Sequence, residues 1–167
     1  MALSFIIRKY QDDDREQCRA LWRELTQWHR EIYQDPTIGG QHPEDCFDKH
    51  LATVGTDQTW VVVHDSEVIG LVGLVFKGEE AEIEPLIVSK GYRRKGIGTK
   101  LIETAVSEAR KKGVKFLHIK PVARNENTIK FLYKQGFQNL GHIDLFMGFS
   151  SRPWKSGLEI FGFKFGY

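Results

Sequence analysis

The feature that most constrains the fold is a basic, glycine-containing segment at residues 92–100, Tyr-Arg-Arg-Lys-Gly-Ile-Gly-Thr-Lys. An apolar run ends before it at Val88 and an amphipathic run begins at Ile97, so the segment is predicted to join a strand to a helix. Gly96 and Gly98 carry no side chain that would keep another molecule from the backbone amides. The first N–H groups of a helix have no partner within the helix and favour an anion. The sequence therefore predicts a phosphate-binding loop, to which three cations add charge-assisted hydrogen bonds. These are Arg93, Arg94 and Lys95.

Two other glycine-containing loops do not fit this segment. A dinucleotide-binding fingerprint requires a third glycine where Leu101 stands, and a Walker A loop requires Gly-Lys-Ser/Thr, whereas this chain has Gly98-Thr99-Lys100. The alternative that remains is a basic, solvent-exposed turn before a helix.

The spacing Arg93-x-x-Gly96-x-Gly98 resembles the coenzyme A-binding signature of the GNAT superfamily of N-acetyltransferases. The resemblance extends to residues 123–129, Ala-Arg-Asn-Glu-Asn-Thr-Ile, and to Gly136-Phe137, which are similar to the second cofactor-side motif of that family. It implies an acetyl-CoA-dependent enzyme with an α/β (α+β) fold: a mixed, mainly antiparallel central sheet of about six to seven strands, flanked by about four helices. In this fold a splayed pair of strands binds coenzyme A.

Pro85 predicts where that splay occurs. Proline cannot donate to a sheet ladder, so the strand over residues 81–88 is expected to be an edge or to bulge there and to diverge from its neighbour. In GNAT proteins a strand of this kind binds the pantetheine arm through its unpaired backbone groups. The cofactor-binding residues that the resemblance implies are Leu86, Val88, Arg93, Arg94, Lys95, Gly96, Gly98, Thr99 and Asn125.

Length and composition limit the remaining organisation. The chain of 167 residues is long enough for one domain, 1–167, that needs no disulfides or metal. Cys18 and Cys46 are expected to be reduced thiols on the apolar sides of helices. The net charge of +2, with lysine and arginine dense only at residues 93–100 and around 110–115, gives no argument for nucleic-acid or membrane binding. No apolar run approaches the roughly 20 residues needed to span a bilayer and no leader sequence is evident, so a cytoplasmic location is expected.

The apolar patterning predicts the order of the elements. Strands are expected over residues 4–10, 59–64, 67–76, 81–88 and 114–122, followed by a final hairpin formed by 141–149 and 158–165. Helices are expected after Asp12-Asp13-Asp14, from Pro43 to Gly55, from Ile97 to Gly113, and after Asn125. Aromatic residues alternate in the last strand of the hairpin, and this face is expected to pack internally or to form the edge of a homodimer.

Acetyl transfer to an amine requires a base for the amine, donors for the oxyanion and an acid for the leaving thiolate. Glu84 precedes the predicted splay and matches a position where many GNAT enzymes carry a catalytic glutamate. Its rival is Glu82, which is two residues earlier on the same strand. Glu84 is alternatively a solvent-facing charge, or a carboxylate that only positions a cationic substrate. The resemblance implies that the N–H groups around Ile87 and Val88 polarise the thioester carbonyl.

The acid for the thiolate is where the sequence departs from the family pattern. The usual spacing places Leu132 at that position and Tyr133 one residue later, which is about 100° around a helix. Either Tyr133 serves because the helix starts one residue differently, or water or a neighbouring group replaces it. The structural alternative for Tyr133 is a core aromatic. Asn125 is expected to cap this helix and either to bond the pantetheine arm or to hold the loop.

These residues predict an N-acetyltransferase that transfers the acetyl group of acetyl-CoA to a primary amine by direct attack, the amine belonging to a small molecule or a protein. The alternative is a catalytically inactive, acyl-CoA-binding regulatory module of the same fold. By the resemblance, the first two helices and the loop between them shape the acceptor side of the cleft. The candidate lining residues there are Trp28, His29, Tyr33 and His42.

Overall fold

The structure is a computed structural model that describes residues 3–149 and 153–167. The chain divides into two compact units, of which the first ends at Lys120 and the second begins at Pro121. The single domain expected over residues 1–167 remains a prediction. Among the described residues, no helix is long and apolar enough to cross a membrane.

The first unit contains a five-stranded mixed sheet in which the strands follow their order along the chain. Its antiparallel strands are β1 (Ile6–Lys9), β2 (Thr59–His64), β3 (Glu67–Lys77) and β4 (Glu80–Val88), and β5 (Phe116–Ile119) runs parallel to β4. Its helices are α1 (Arg15–Tyr33), α2 (Asp45–Val54) and α3 (Ile97–Lys111). Each predicted helix and strand of this unit is present, although β5 is shorter than the run from 114 to 122 that its composition suggested.

The helices cover both faces of the sheet. Adjacent residues of a strand point to opposite faces of the sheet, so Gly70 and Leu71 of β3 lie on different faces. Their neighbours show which helices cover each face. Leu71 lies in a buried cluster with Cys18 of α1 and Phe47 of α2. The position that a Cβ on Gly70 would take lies 3.3 Å from Cδ1 of Leu101 in α3. The sheet is therefore enclosed between α1 and α2 on one side and α3 on the other.

α1 and α2 are joined by a row of ion pairs as well as by apolar packing. Three arginines at four-residue spacing on α1 face carboxylates at the start of α2. The pairs are Arg15–Asp48 at 2.9 Å, Arg19–Asp45 at 2.7 Å and Arg23–Glu44 at 3.1 Å. An exposed pair contributes little to stability by itself, but the row fixes how α2 is aligned along α1.

The cysteine expectation is met in part. Both thiols are free, Cys18 is fully buried and Cys46 is partly buried. Burial raises the pKa of the Cys18 thiol to about 12, which keeps it protonated. Cys18 is therefore an inert core residue.

A β-bulge interrupts the pairing of β3 with β4 at the position that Pro85 predicted. Val72 pairs with Leu86 and Leu74 pairs with Ile83, so Glu84 and Pro85 together oppose the single residue Gly73. A Cβ on Gly73 would collide with the carbonyl oxygen of Glu84, which explains why glycine stands there.

The other edge of β4 is paired only along its first half. Residues 80–83 of β4 pair with residues 116–119 of β5, and no strand among the described residues continues this ladder past Ile83. The pairing of β4 with β5 thus ends one residue before Glu84, at the place where the sequence predicts the splay.

The ends of the helices follow the predicted caps. Gly113 takes a φ of 71° after α3, and the amide of Val114 donates to the carbonyl of Ala109 at 3.3 Å, as in a Schellman motif. In the second unit, α4 (Glu126–Lys134) is capped by Asn125, whose side-chain oxygen accepts from the amide of Thr128 at 3.3 Å. Local sequence therefore determined these boundaries.

The second unit also corrects the prediction for the C-terminal hairpin. Residues 141–149 form no strand, and the two antiparallel strands are β6 (Leu158–Ile160) and β7 (Phe163–Phe165). Phe161 and Gly162 both have positive φ, so a two-residue turn folds what looked like one continuous strand back on itself. Of the connection expected at residues 150–154, residues 150–152 lie outside the described residues. The described part of the chain therefore has the expected number of strands and helices, but its strands form sheets of five and two.

We expect Gly73→Ala to lower the free energy of unfolding by about 1–3 kcal/mol, because the added Cβ meets the backbone of the bulge. Gly91→Ala is the matched control, since its Cβ would have no neighbour within 4 Å, and its effect should stay within about 0.5 kcal/mol. Urea denaturation measures both variants. Equal midpoints for the two would contradict a bulge that requires glycine.

Candidate active site

The open edge of β4 presents backbone groups of alternate residues. The amide of Ser89 donates to the carbonyl of Ile69 in β3 at 2.9 Å, so the backbone of Ser89 faces β3. Backbone groups alternate along a strand, so those of Leu86 and Val88 face the opposite, open edge. The carbonyl of Val88 accepts there from Nε of Arg93 at 2.9 Å. The N–H groups of Leu86 and Val88 consequently point into the splay, as an added strand would require.

The connection from β4 to α3 has the geometry of an anion-binding loop. Gly96 has a φ of 85°, which favours glycine, and a Cβ there would have no neighbour within 4 Å. α3 begins at Ile97 without a side-chain cap, so the first-turn amides, which include those of Gly98 and Thr99, are available to a ligand. The two cations next to this turn, Arg94 and Lys95, are exposed.

Arg93 differs from these two cations because it is held within the protein. Besides its bond to the carbonyl of Val88, its guanidinium lies 3.4 Å from Oε1 of Glu24 and 5.5 Å from the ring of Trp28. The structure therefore gives Arg93 a role in fixing the loop to β4 and α1.

Glu24 of α1 also holds this loop, a contact that the sequence analysis missed. Its carboxylate accepts from the hydroxyl of Ser89 at 3.1 Å and from the amide of Lys90 at 2.5 Å, in addition to its pair with Arg93. One side chain of α1 thus binds three donors of the loop. The only signal in the sequence is that Glu24 lies beside the apolar stripe of α1.

Glu84 stands at the bulge, where the strands begin to diverge. Its side chain is 53% exposed, and Oε1 lies 3.8 Å from Nδ1 of His50 in α2. The backbone carbonyl of Glu84 lies 2.7 Å from Nε2 of the same histidine. Sequence reasoning identified Glu84 and missed His50.

Glu82 has a different environment, although it is only two residues away. Its carboxylate is buried, and Oε2 accepts from Lys77 at 3.1 Å and from Lys120 at 2.8 Å. Burial alone would raise the pKa of Glu82, but the hydrogen bonds from Lys120 and Lys77 outweigh burial and hold the pKa below its ordinary value. A carboxylate with a low pKa that already binds two ammonium groups is a poor general base. This geometry favours Glu84 over its rival.

Leu132 and Tyr133, the two candidate positions in α4 for the acid, differ in their exposure to solvent. Leu132 is 3% exposed, whereas Tyr133 is 59% exposed and is therefore not a core aromatic. The side-chain oxygen of Asn125 is engaged in capping α4. Asn125 therefore holds this helix start, and Tyr133 is largely exposed.

The segment between α1 and α2 is tied to α1. Arg30 donates to the carbonyl of Ile38 at 2.9 Å and to that of Gly40 at 2.6 Å. Of the expected lining residues, His42 is exposed, and burial lowers the pKa of His29, which favours its neutral form. The tie from Arg30 gives this segment a defined path.

Comparison with known families identifies the class of protein that this fold and site define. A sequence model described as the acetyltransferase (GNAT) family matches residues 22–137, more than half of the chain. The chain belongs to the acetyltransferase (GNAT) family. Members of this family use acetyl-CoA, which confirms the cofactor expected from the loop.

Two curated relatives carry N-acetyltransferase names. The chain is 36% identical over 62 residues to an uncharacterised N-acetyltransferase of Methanocaldococcus jannaschii, a match that covers 37% of this chain and 27% of that protein. It is 31% identical over 100 residues to the probable N-acetyltransferase camello of Xenopus laevis, covering 57% of this chain and 46% of that protein. The chain thus spans less than half the length of either relative. These similarities support acetyl transfer in general.

Solved structures confirm the fold. A GNAT-family acetyltransferase of Staphylococcus aureus superposes with a TM-score of 0.69 at 15% identity, covering 89% of this chain and 96% of that one. The PaiA N-acetyltransferase of Thermoplasma acidophilum, crystallised with coenzyme A, gives a TM-score of 0.66 at 24% identity and covers 79% and 88% of the two chains. The expected GNAT fold is confirmed.

We expect Glu24→Ala to weaken acetyl-CoA binding about tenfold, or roughly 1.4 kcal/mol, because the loop loses the acceptor that orders three of its donors. Glu31→Ala is the matched control, since it removes an exposed carboxylate from the same helix whose side chain contacts Gln27 of that helix. Isothermal titration calorimetry measures both dissociation constants. Unchanged or tighter binding by Glu24→Ala would show that releasing Arg93 matters more than fixing the loop.

Proposed function

We propose that this chain transfers the acetyl group of acetyl-CoA to a primary amine by direct attack, with Glu84 as the general base. The observation that carries the proposal is the position of Glu84, a largely exposed carboxylate at the bulge where the edge of β4 opens. The amine belongs to a small molecule or to a protein. The alternative, a binding module without catalysis, has the same cofactor site and is separated from the enzyme by the tests below.

The geometry of the cofactor side supports this proposal. The N–H groups of Leu86 and Val88 would bind the pantetheine arm, and the first-turn amides of α3 at Gly98 and Thr99 would bind the pyrophosphate with the help of Gly96. Two exposed cations, Arg94 and Lys95, would add charge-assisted hydrogen bonds. Arg93 would act indirectly by holding the loop. When bound, acetyl-CoA supplies an activated thioester as the acyl donor.

Glu84 would accept the proton of the amine, either directly or through one water molecule. An alkylammonium group has no lone pair with which to attack, so this proton must leave before the new C–N bond forms. Glu84 is suited to the task because its carboxylate is accessible and, among the described residues, accepts no hydrogen bond from a lysine, whereas Glu82 binds two lysines.

The backbone of Val88 would stabilise the negative charge that develops on the carbonyl oxygen under attack. Sequence analysis gave this role to the amides around Ile87 and Val88. The alternation along β4 directs the amide of Val88 to the open edge and that of Ile87 to β3, which supports Val88. For the departing thiolate, we propose the exposed hydroxyl of Tyr133 as proton donor, on the strength of the family motif. Water is the alternative donor.

We expect Glu84→Gln to lower kcat by about 100- to 10,000-fold because it removes the base. Its acetyl-CoA dissociation constant should stay near that of the unaltered chain. Glu80→Gln is the matched control on the same strand, since its exposed carboxylate contacts only His118 among the described residues, and its turnover should be nearly unchanged. The measurement is thiol release from acetyl-CoA across a panel of primary amines. Full turnover by Glu84→Gln would exclude it as the base.

We expect Gly98→Glu to abolish acetyl-CoA binding, because a carboxylate in the first turn of α3 would repel the pyrophosphate and occupy its place. Ser107→Glu adds the same charge to an exposed position farther along this helix and should leave the affinity nearly unchanged. Calorimetry with acetyl-CoA tests both variants after each is shown to fold. If the unaltered chain did not bind acetyl-CoA, the loop would be only a basic turn and the proposal would fail.

A further inference from the structure

The bulge turns one backbone carbonyl out of the sheet. Glu84 and Pro85 oppose the single residue Gly73, so the carbonyl of Glu84 has no place in the regular ladder. It lies over Gly73, on the face of the sheet that α1 and α2 cover. A carbonyl placed there requires a donor from the helices.

His50 of α2 supplies that donor. Its Nε2 lies 2.7 Å from the carbonyl oxygen of Glu84, and since a carbonyl only accepts, Nε2 carries the hydrogen. Burial lowers the pKa of His50, and this exceeds the opposing effects of the hydrogen bond and charge of Glu84, so the neutral ring is favoured. Nδ1 of this tautomer has no hydrogen, and it faces Oε1 of Glu84 at 3.8 Å. The carboxylate therefore accepts no hydrogen bond from the histidine.

The ring of His50 is fixed by its surroundings. Its side chain is 11% exposed, and the ring lies 5.2 Å from the ring of Trp22, which also contacts Phe47 at 6.2 Å. The ion pairs between α1 and α2 hold the backbone of α2 along α1. Because α1 and α2 hold the His50 ring in place, its hydrogen bond fixes the position of the Glu84 backbone in β4.

We propose that His50 is a positioning residue for Glu84: its Nε2–H holds the backbone of the bulge, and its bare Nδ1 leaves the carboxylate able to take a proton from the amine. This inference rests on the proposed role of Glu84 as the base. It gives a residue of α2 an indirect part in catalysis, and it explains why a hydrogen-bond donor is buried beside the carbonyl of Glu84. Nothing in the arrangement requires His50 to touch the substrate.

Protonation of His50 would reverse this effect. A hydrogen on Nδ1 would place a positive charge and a donor beside Oε1 of Glu84, and such a pair stabilises the ionised carboxylate and makes it a weaker base. Among the described residues, Glu84 of β4 is the charged group that faces the ring, while α1 presents the uncharged ring of Trp22. Turnover should therefore fall on the acid side as His50 becomes protonated.

The first test compares two substitutions of His50. His50→Phe keeps a ring against Trp22 but removes both nitrogens, and we expect kcat to fall about 10- to 100-fold with an unchanged dissociation constant for acetyl-CoA. His50→Gln restores an N–H at the reach of Nε2 but cannot titrate, so it should recover most of the turnover and lose the acid-side fall that His50 causes. Equal turnover in His50→Phe and the unaltered chain would overturn the proposal, as would equal loss in the two variants.

Combination with Glu84→Gln separates this inference from the proposed function. If His50 acts through Glu84, His50→Phe should lower turnover little further in a chain that already carries Glu84→Gln. An independent, additional loss in the double variant would overturn the positioning role while leaving the proposed function intact. Full turnover by Glu84→Gln alone would instead remove the base assignment, and the positioning role with it.

Nuclear magnetic resonance gives a readout that does not depend on turnover. Nitrogen-15 correlations of the unaltered chain should show neutral His50 as the Nε2–H tautomer. An Nδ1–H tautomer would overturn the proposal even in a protein without detectable turnover.

Discussion

The site depends on a mismatch of one residue between two antiparallel strands. Glu84 and Pro85 take the space opposite Gly73, and this is possible because glycine lets the two backbones approach. Three features coincide at the bulge. The edge of β4 leaves its parallel neighbour after Ile83, the side chain of Glu84 reaches solvent, and its carbonyl turns toward α2.

The loop that follows β4 divides its positive charges between two tasks. Arg93 donates to the carbonyl of Val88 and forms an ion pair with Glu24, so its guanidinium is engaged within the protein. Arg94 and Lys95 remain exposed beside the uncapped start of α3. An ordered loop loses less conformational entropy when a ligand binds than a flexible one does, so an internal ion pair can favour binding without contact to the ligand. The sequence motif alone does not distinguish these two tasks.

Features that depend on neighbouring residues were predictable from the sequence. Apolar periodicity gave the helices and the strands of the first unit, Pro85 gave the bulge, and Gly113 and Asn125 gave helix ends. The two-residue turn at Phe161-Gly162 was missed because phenylalanine rarely adopts a positive φ. Glu24 and His50 were missed for another reason. Their partners, Ser89 and Glu84, are 65 and 34 residues away in the sequence. Contacts over such distances produce no repeating pattern of residue types from which they could be predicted.

The tie between Arg30 and the segment after α1 has a consequence for how this protein can diverge. Arg30 binds the backbone carbonyls of Ile38 and Gly40, which every amino acid provides, so these two bonds do not depend on the side chains at positions 38 and 40. Exposed side chains of the segment, such as those of Gln41 and His42, can therefore be exchanged in evolution while the ion pairs that align α1 with α2, Arg23–Glu44 included, stay in place. Glu24 and His50 lie on those helices and keep their contacts through such exchanges. Under the proposed function, such exchanges would alter the acceptor side of the cleft while the contacts of Glu24 and His50 stay as they are.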